Sequence, residues 1–311
     1  MGRIALVALG GHALLPKRGQ ASIRSQFLHT RRAMGHVLRL VEEGWSLVIT
    51  HGNGPQVGHI LIRSEAAAGK AYAIPLSVAV AESEGEIGYV IQQSLYNELA
   101  AHRISRPIVT VLTQVLVDRR DPAFASPTKP IGPFLSDAEV PRRRRKGATF
   151  AHFPGYGWRR IVPSPRPLEI IEGQTVRRLA EEDVIVIAAG GGGIPVYKVR
   201  GRLHGVDAVI DKDLASSVLA KDVGAELLLL LTDVRKVALD YGKPTQVDLA
   251  SMTVAQAREY LAAGHFPEGS MGPKVEGALQ FVAASGHRAI ITTPEALAGA
   301  LVGQDGTQIT P

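Results

Sequence analysis

The chain of 311 residues contains no cysteine. This absence excludes disulfides, thiolate nucleophiles and cysteine metal ligands, and it favours an intracellular, cytoplasmic protein. Aromatic residues make up only 5% of the sequence, so its 45% hydrophobic content must form a mainly aliphatic core. No apolar run approaches the roughly 20 residues that span a bilayer, and no signal peptide is recognisable. We therefore expect no membrane partner and no thiol chemistry.

Acidic residues are fewer than basic ones, with 29 Asp and Glu against 35 Lys and Arg, and the formal net charge is +6. An excess of positive charge favours anionic partners. The basic run at residues 142–146 leaves open a nucleic-acid-binding protein or a non-catalytic nucleotide sensor. Because the run follows Pro141 and contains no aromatic residue, a solvated loop is the favoured interpretation, and we predict no nucleic-acid partner.

Three apolar runs each end in a glycine-rich turn. The runs and their turns are residues 4–9 with Gly10-Gly11, residues 47–50 with Gly52-Asn53-Gly54, and residues 184–189 with the glycines at 190–193. Backbone N–H groups approach a phosphate closely only where no Cβ intervenes, and the N-terminus of a following helix adds partial positive charge. The three turns therefore predict several backbone edges that converge on an anion, as in a phosphate-handling enzyme.

Strand-like apolar runs alternate with helical patterns along the chain. This order predicts an α/β fold, a single domain over residues 1–311 in which helices cover both faces of a mainly parallel sheet. One of the apolar runs, at residues 108–117, predicts a single strand.

The alternation is interrupted between residues 118 and 162, where six prolines occur. We interpret this segment as a small protruding subdomain or lid within the domain. Its local core would comprise Phe124, Phe134, Phe150, Phe153 and Trp158.

Two common nucleotide-binding motifs are absent. No G-x-x-x-x-G-K-[ST] occurs, which excludes a P-loop enzyme. The glycines in residues 51–58 and 190–193 do not have the G-x-G-x-x-G spacing of a dinucleotide-binding fold. A Rossmann dehydrogenase is therefore a less favoured class.

Three lysines lie beside stiff backbone turns instead of on polar helix faces. Lys212 follows a strand and opens a helix, Lys274 begins another helix after a proline, and Lys129 lies between two prolines. Side chains at a helix start lean toward the N-terminus, where an anion is favoured. These lysines are therefore candidate catalytic residues. Asp213, next to Lys212, is either a helix cap or a carboxylate that holds two ammonium groups apart.

Longer segments of the chain together resemble carbamate kinase, a branch of the amino acid kinase family. These segments are residues 8–11, 50–58, 85–92, 126–134, 159–165, 188–195, 211–213 and 264–274. The resemblance implies a three-layer αβα sandwich, a homodimer, and reversible phosphoryl transfer between ATP and carbamate that gives ADP and carbamoyl phosphate. It also implies a role in arginine metabolism, with ATP synthesis as one direction of the reaction.

The resemblance also implies residue roles at matching positions. The catalytic group would comprise Lys129, Lys212, Lys274 and Asp213. The carbamate site would comprise Gly10, Gly11, His12, Gly52, Asn53 and Gly54. The site for ATP or ADP would comprise Gly190, Gly191, Thr232, Asp233, Val234, Tyr241, Met271 and Gly272. Magnesium would bridge the nucleotide phosphates without a dedicated set of protein ligands.

Two features depart from the pattern: His12, and the stretch at residues 151–157, which replaces the acidic and arginine residues common before the Trp-Arg-Arg segment. The second concerns contacts of the subdomain, and the first concerns the substrate. His12 stands where carbamate kinases usually have asparagine, and an imidazole is bulkier and titrates near neutral pH. The departure leaves open a phosphotransferase of the same family that acts on a different carboxylate-type substrate. Ala8, in contrast, matches carbamate kinases at a position where many relatives with other substrates have lysine. Carbamate is therefore the favoured substrate.

Overall fold

The computed structural model describes residues 2–14, 22–144 and 147–311, and it leaves the side chains of residues 12, 13 and 142 outside that description. Residues 145 and 146 of the basic run, for which no nucleic-acid binding is predicted, lie outside the described residues. Within the described ranges, no helix has both the length and the hydropathy that crossing a bilayer requires.

Strands and helices alternate through the described ranges. The strands are, in chain order, β1 (Ile4–Leu9), β2 (Ser46–His51), β3 (Ile108–Thr110), β4 (Gln114–Leu116), β5 (Lys129–Leu135), β6 (Thr149–Phe153), β7 (Gly157–Val162), β8 (Glu169–Ile170), β9 (Ile185–Ile187), β10 (Ile194–Val199), β11 (Arg202–Gly205), β12 (Leu227–Leu231), β13 (Val237–Leu239), β14 (Val247–Leu249), β15 (Ser251–Thr253), β16 (Arg288–Thr292) and β17 (Thr307–Thr310). The α-helices are α1 (Gly11–Leu14), α2 (Ile23–Glu42), α3 (Gly54–Ala66), α4 (Leu76–Ala101), α5 (Val140–Arg144), α6 (Gly173–Glu181), α7 (Lys212–Asp222), α8 (Val254–Ala262), α9 (Met271–Ser285) and α10 (Leu297–Leu301).

The central sheet has eight strands in the order β15-β17-β16-β12-β1-β2-β9-β3. The strands from β16 to β3 run parallel, whereas β17 pairs antiparallel with β16. Parallel strands that are covered on both faces must be apolar throughout, and β12 is a run of five buried leucines. The predicted mainly parallel sheet is confirmed.

Helices cover both faces of this sheet. Successive residues of a strand point to opposite faces, so Leu6 of β1 packs in one buried cluster and Val7 in another. The Leu6 cluster contains side chains of α6, α7, α8 and α9, whereas the Val7 cluster contains side chains of α2, α4 and α10. The predicted αβα sandwich is therefore confirmed.

The carboxyl ends of four neighbouring strands, β12, β1, β2 and β9, lie at one edge of the sheet. The turn after β1 is held there, because the Gly10 N–H donates to the Leu231 carbonyl at 2.8 Å. A Cβ on Gly10 would lie 2.7 Å from that carbonyl oxygen, so only glycine fits. The glycine-rich turns thus meet at the edge where open α/β sheets bind their ligands.

The prediction of a single strand at residues 108–117 is wrong. The chain forms β3 at the end of the central sheet and then forms β4 in a second sheet of order β11-β10-β4-β8. The change occurs at Thr113, which is fully buried. Its N–H donates to Glu84 Oε2 at 2.8 Å instead of to a neighbouring strand. A side chain of α4 therefore interrupts the pairing, and no local pattern signals it.

The segment at residues 118–162 contains a three-stranded antiparallel sheet of order β5-β7-β6. Leu135, Val140 and Phe150 form a small buried cluster, with Trp158 packed against it. The expected local core is wrong at Phe124, which packs against the main core instead. That this segment is a separate subdomain or lid stays a prediction.

A close backbone contact fixes β5 against α3. A Cβ on Gly58 of α3 would lie 1.9 Å from Gly132 Cα, so Gly58 has no room for a side chain, and Gly132 has a φ of 70°, which favours glycine. The Gly132 carbonyl also accepts a hydrogen bond from Arg159 Nε at 2.7 Å. Because β5 begins at Lys129, this contact brings that lysine to the carboxyl edge of the central sheet.

Candidate active site

Two cavities open at the carboxyl edge of the sheet. The larger, of about 380 Å³, lies beside the turns that follow β1 and β12 and beside the start of α9. The smaller, of about 170 Å³, lies between the turns that follow β1 and β2, the start of α7, and β5. Gly11, Gly269, Lys212 and Lys274 line both cavities. The cavities therefore meet at two lysine side chains from the first turns of α7 and α9.

A buried carboxylate lies between these two lysines. Lys212 Nζ forms an ion pair with Asp213 Oδ1, and Lys274 Nζ lies 3.0 Å from Oδ2 of the same side chain. Burial raises the pKa of Asp213, but the charges and hydrogen bonds of both lysines outweigh burial and hold this pKa below its ordinary value. Asp213 is therefore ionised at neutral pH and fixes both ammonium groups at the junction of the cavities.

The two ammonium groups differ in how firmly they hold a proton. Burial lowers the pKa of Lys212, an effect that Asp213 opposes and the charge of Lys274 reinforces. Burial also acts to lower the pKa of Lys274, but attraction to Asp213 outweighs it and the net pKa is raised. Lys274 is therefore the more firmly charged member of the pair.

Lys129 reaches the smaller cavity from β5. Its Nζ lies 2.5 Å from Asp211 Oδ2, while Asp211 Oδ1 accepts a hydrogen bond from the Asp213 N–H at 2.9 Å. Asp211 therefore caps the N-terminus of α7 and also pairs with a lysine 82 residues away in the chain. No role was predicted for Asp211, although its position beside Lys212 was an available signal.

The structure brings most of the predicted site residues to these cavities. The larger cavity is lined by the predicted residues Gly10, Gly11, Lys212, Thr232, Asp233, Val234, Tyr241, Met271 and Lys274. The smaller cavity is lined by the predicted residues Gly11, Gly52, Asn53, Gly54, Lys129, Gly191, Lys212, Asp213 and Lys274. Gly190 and Gly272 line neither cavity. The backbone of His12 lies in α1, but its side chain lies outside the described residues.

The larger cavity also contains residues that the sequence analysis did not single out. These residues are Lys236, Ala238, Phe266, Pro267, Gly269 and Ser270. The last four belong to the distinctive segment at residues 264–274, which was the signal for them. Lys236 and Ala238 lie before and within β13, inside the segment at residues 232–241 that the resemblance assigns to nucleotide binding, although neither was named individually.

The turn at residues 190–193 packs against the turn that follows β2. A Cβ on Gly190 would lie 2.3 Å from His51 Nε2, and a Cβ on Gly191 would lie 1.9 Å from Asn53 Nδ2. Gly191 also has a φ of 66°, which favours glycine. Gly191, expected from the resemblance to contact the nucleotide, therefore packs on Asn53 and lines only the smaller cavity.

Comparisons with known proteins identify the family of the chain. A profile of the amino acid kinase family matches residues 3–293. The chain is 46% identical to the carbamate kinase of Pyrococcus horikoshii, with 98% of each chain covered. It is also 46% identical to carbamate kinase 1 of Enterococcus faecium, with 100% of each chain covered. The solved structure of the carbamate kinase from Giardia lamblia bound to AMP-PNP is 40% identical, with a TM-score of 0.93 over 99% of this chain and 98% of that chain.

The chain therefore belongs to the amino acid kinase family. Within that family its full-length relatives at more than 40% identity include carbamate kinases from archaea and bacteria. The resemblance to carbamate kinase that the sequence segments carry is confirmed by these relatives.

His51, the last residue of β2, is a buried imidazole directly before Gly52. Its Nδ1 donates to the Gly52 carbonyl at 3.1 Å. Burial lowers the pKa of His51 from 6.5 to about 4, an effect that the hydrogen bond opposes and the charge of Lys212 reinforces. The ring is therefore neutral near pH 7 in the folded protein.

This low pKa predicts a pH-dependent stability. Between the folded pKa of about 4 and the unfolded pKa of 6.5, the unfolded state binds the extra proton, so stability falls as the pH falls through this window. From about pH 7.5 to about pH 5, we expect His51 to reduce the free energy of unfolding by about 2 kcal/mol. Urea unfolding of the wild type and of His51→Gln at both pH values measures this difference.

The exposed His102, at the end of α4, supplies the control. Over the same pH range, His51→Gln should lose about 2 kcal/mol less stability than either the wild type or the His102→Gln variant. An unchanged pH dependence in His51→Gln would show that the folded protein does not keep this ring neutral.

Proposed function

We propose that the protein catalyses reversible, magnesium-dependent phosphoryl transfer between ATP and carbamate, giving ADP and carbamoyl phosphate. The nucleotide binds in the larger cavity and carbamate binds in the smaller one. One observation carries this proposal: Lys212 and Lys274 line both cavities. A phosphoryl group that passes from one cavity to the other therefore moves between these two ammonium groups.

The reaction places particular demands on the site. The carbamate oxygen is already anionic and nucleophilic, so no general base is required. The enzyme must instead suppress repulsion between two anions, align them, and stabilise charge on the oxygens of the moving phosphoryl group. Lys129 of β5, Lys212 of α7 and Lys274 of α9 all line the smaller cavity, and their positive charge suits this task.

Helix N-termini supply hydrogen-bond donors to the anions. Helix α3 begins at Gly54 in the smaller cavity, and α9 begins at Met271 in the larger cavity. Among the described residues, the side chains of the N-cap residues Asn53 and Ser270 accept no capping hydrogen bond from a helix N–H. In α9 the Gly272 N–H already donates to the Pro267 carbonyl at 3.0 Å and Pro273 has no N–H, so the donors proposed for phosphate or carbamate oxygens are the N–H groups of Met271 in α9 and Gly54 in α3. The Gly10 N–H is already used by Leu231, so that glycine contributes close approach rather than a donor.

Magnesium fits this site as an ion that the nucleotide carries. In the part of the chain that the structure describes, no group of three His, Asp or Glu side chains could hold a metal ion. Asp211 and Asp213 in the smaller cavity are both paired with lysines. Mg²⁺ bound to nucleotides is held mainly by phosphate oxygens and water, and it would neutralise charge on those phosphates.

The alternative, a different carboxylate-type substrate suggested by His12, is not favoured by the full-length carbamate kinase relatives. The side chain of His12 lies outside the described residues and carries no argument for either substrate. A cytoplasmic location and a role in arginine metabolism stay predictions.

Substrate choice provides the first test. We expect the purified protein, supplied with ADP and Mg²⁺, to form ATP from carbamoyl phosphate much faster than from acetyl phosphate or an amino-acyl phosphate. A coupled assay for ATP measures the three rates at equal substrate concentration. Turnover of another acyl phosphate without turnover of carbamoyl phosphate would favour the alternative and reject the proposal.

Two lysines at opposite ends of α7 provide the second test. We expect Lys212→Met to lower kcat about 100-fold or more, since it removes a preorganised charge from the junction of the cavities. Lys221→Met removes an exposed charge from the last turn of the same helix, and its kcat should stay within about twofold of the wild type. Steady-state kinetics measure kcat for both variants. A near-normal kcat for Lys212→Met would contradict the proposed role of Lys212.

We also propose a homodimer that forms through a helical face, defined by Ile23 and Leu28 of α2 and by Tyr89 and Tyr96 of α4. These four side chains are between 51% and 63% exposed. The helical face borders β3, the last strand of the central sheet, along a groove of about 440 Å³ that both tyrosines line. An extended apolar surface beside a sheet edge is typical of an interface between two copies.

The third test concerns this helical face. We expect the wild type to sediment with twice the chain mass of 33.2 kDa, and the double variant Tyr89→Glu, Tyr96→Glu to sediment as a monomer, because a dimer would bury the new charges. Tyr72→Glu, at an 87% exposed tyrosine outside the helical face, is the control and should stay dimeric. A monomeric wild type, or a double variant that stays dimeric, would contradict this interface.

A further inference from the structure

Glu84 is a buried carboxyl group that the proposed reaction does not use. It lies in the middle of α4, is 1% exposed, and lines neither cavity. Its Oε2 accepts a hydrogen bond from the Thr113 N–H at 2.8 Å, whereas its Oε1 has no hydrogen-bond partner among the described residues. Burial raises the pKa of Glu84 well above its ordinary value, although the bond from Thr113 opposes this. Burying a carboxyl group with one unpartnered oxygen costs free energy, so the contacts of Glu84 must contribute to another property of the protein.

Thr113, the partner of Glu84, holds both ends of the glycine turn at residues 190–193. Its Oγ1 accepts a hydrogen bond from the Ala189 N–H at 2.9 Å, and its carbonyl accepts one from the Ile194 N–H at 2.8 Å. The Thr113 hydroxyl in turn donates to the Val111 carbonyl at 2.8 Å, which fixes its orientation. The position of Thr113 therefore determines where the turn begins and ends.

The turn needs such support because its backbone is strained. Ala189 has a φ of 47°, a left-handed conformation that costs free energy in a residue with a Cβ. Gly191, Gly192 and Gly193 also have positive φ values. Backbone of this kind keeps one conformation only where surrounding contacts impose it.

Held in this conformation, the turn packs against Asn53, which lines the smaller cavity. Gly191 lies directly against the Asn53 side chain, with no room for a Cβ between them. From the other direction, Asn53 Nδ2 donates to Ser83 Oγ at 2.9 Å. Ser83 and Glu84 are consecutive residues of α4, so one helical turn fixes Asn53 both directly and through Thr113.

We propose that Glu84 is a positioning residue for the carbamate side of the active site. Through Thr113 it holds the turn at residues 189–193 against Asn53, and thereby sets the shape of the smaller cavity. This role rests on the proposed function in one respect, since it takes the smaller cavity as the site of carbamate. The larger cavity contains no member of this chain of contacts, so nucleotide binding does not depend on Glu84.

Kinetic constants for the two substrates separate this role from general stabilisation. We expect Glu84→Leu to raise the KM for carbamoyl phosphate about tenfold or more, with the KM for ADP within about twofold of the wild type. Glu84→Gln retains an acceptor for the Thr113 N–H and should recover most of the lost affinity. Glu82→Leu, at an exposed glutamate on the same helix, is the control and should change neither constant. Equal changes in both KM values for Glu84→Leu would overturn the proposal.

A second variant keeps the test decisive should Glu84→Leu fail to fold. Thr113→Val removes the hydroxyl that accepts from Ala189 but preserves side-chain shape and the N–H bonded to Glu84. We expect the same selective rise in the KM for carbamoyl phosphate, and an unchanged value would overturn the proposal. Where both single variants fold, the double variant should be no worse than the poorer one, because they interrupt the same chain of contacts.

Hydrogen exchange provides a readout that requires no substrate. In Glu84→Leu and Thr113→Val, the amides of Ala189 and Ile194 should exchange faster than in the wild type, while those of β12 should not. Protection that stays unchanged at both amides would reject the positioning role. A wild type that does not turn over carbamoyl phosphate would instead reject the proposed function, and the exchange result would still decide whether Glu84 holds the turn.

Discussion

One buried carboxylate determines how charge is arranged in the active site. Asp213 holds Lys212 and Lys274, whose ammonium groups would otherwise repel each other, at the junction of the two cavities. Removing three charges from water is costly unless their geometry is fixed, and here the close packing of α7 on α9 fixes it. That packing depends on Gly277 of α9, where a Cβ would lie 2.7 Å from the Asp213 carbonyl oxygen. A glycine that lines neither cavity is thus a condition for the arrangement of the catalytic charges.

The smaller cavity depends on a different constraint, the absence of side chains between two turns. Gly190 and Gly191 allow one turn to contact the side chains of His51 and Asn53. A turn made almost entirely of glycine has high conformational freedom, so its shape must come from its surroundings. Thr113 imposes that shape through hydrogen bonds to both ends of the turn. One wall of the smaller cavity is therefore a glycine turn whose conformation is fixed by its hydrogen bonds to Thr113.

The sequence predicted the features that arise from residues close together in the chain. Lys212 and Lys274 were recognised because each opens a helix, and the sandwich followed from the alternation of strands and helices. Features made by distant residues had no local signal: Lys129 and Asp211 are 82 residues apart, and Thr113 lies 29 residues from Glu84. The same limit explains the wrong strand at residues 108–117, because the apolar run continues through Thr113 while the carboxyl group of Glu84, from another element, accepts its N–H.

Helix α4 connects the two surfaces for which roles are proposed. Ser83 and Glu84 face the interior and hold the residues of the smaller cavity, whereas Tyr89 and Tyr96 lie exposed further along the same helix. If two copies associate through the helical face, α4 is held on both sides.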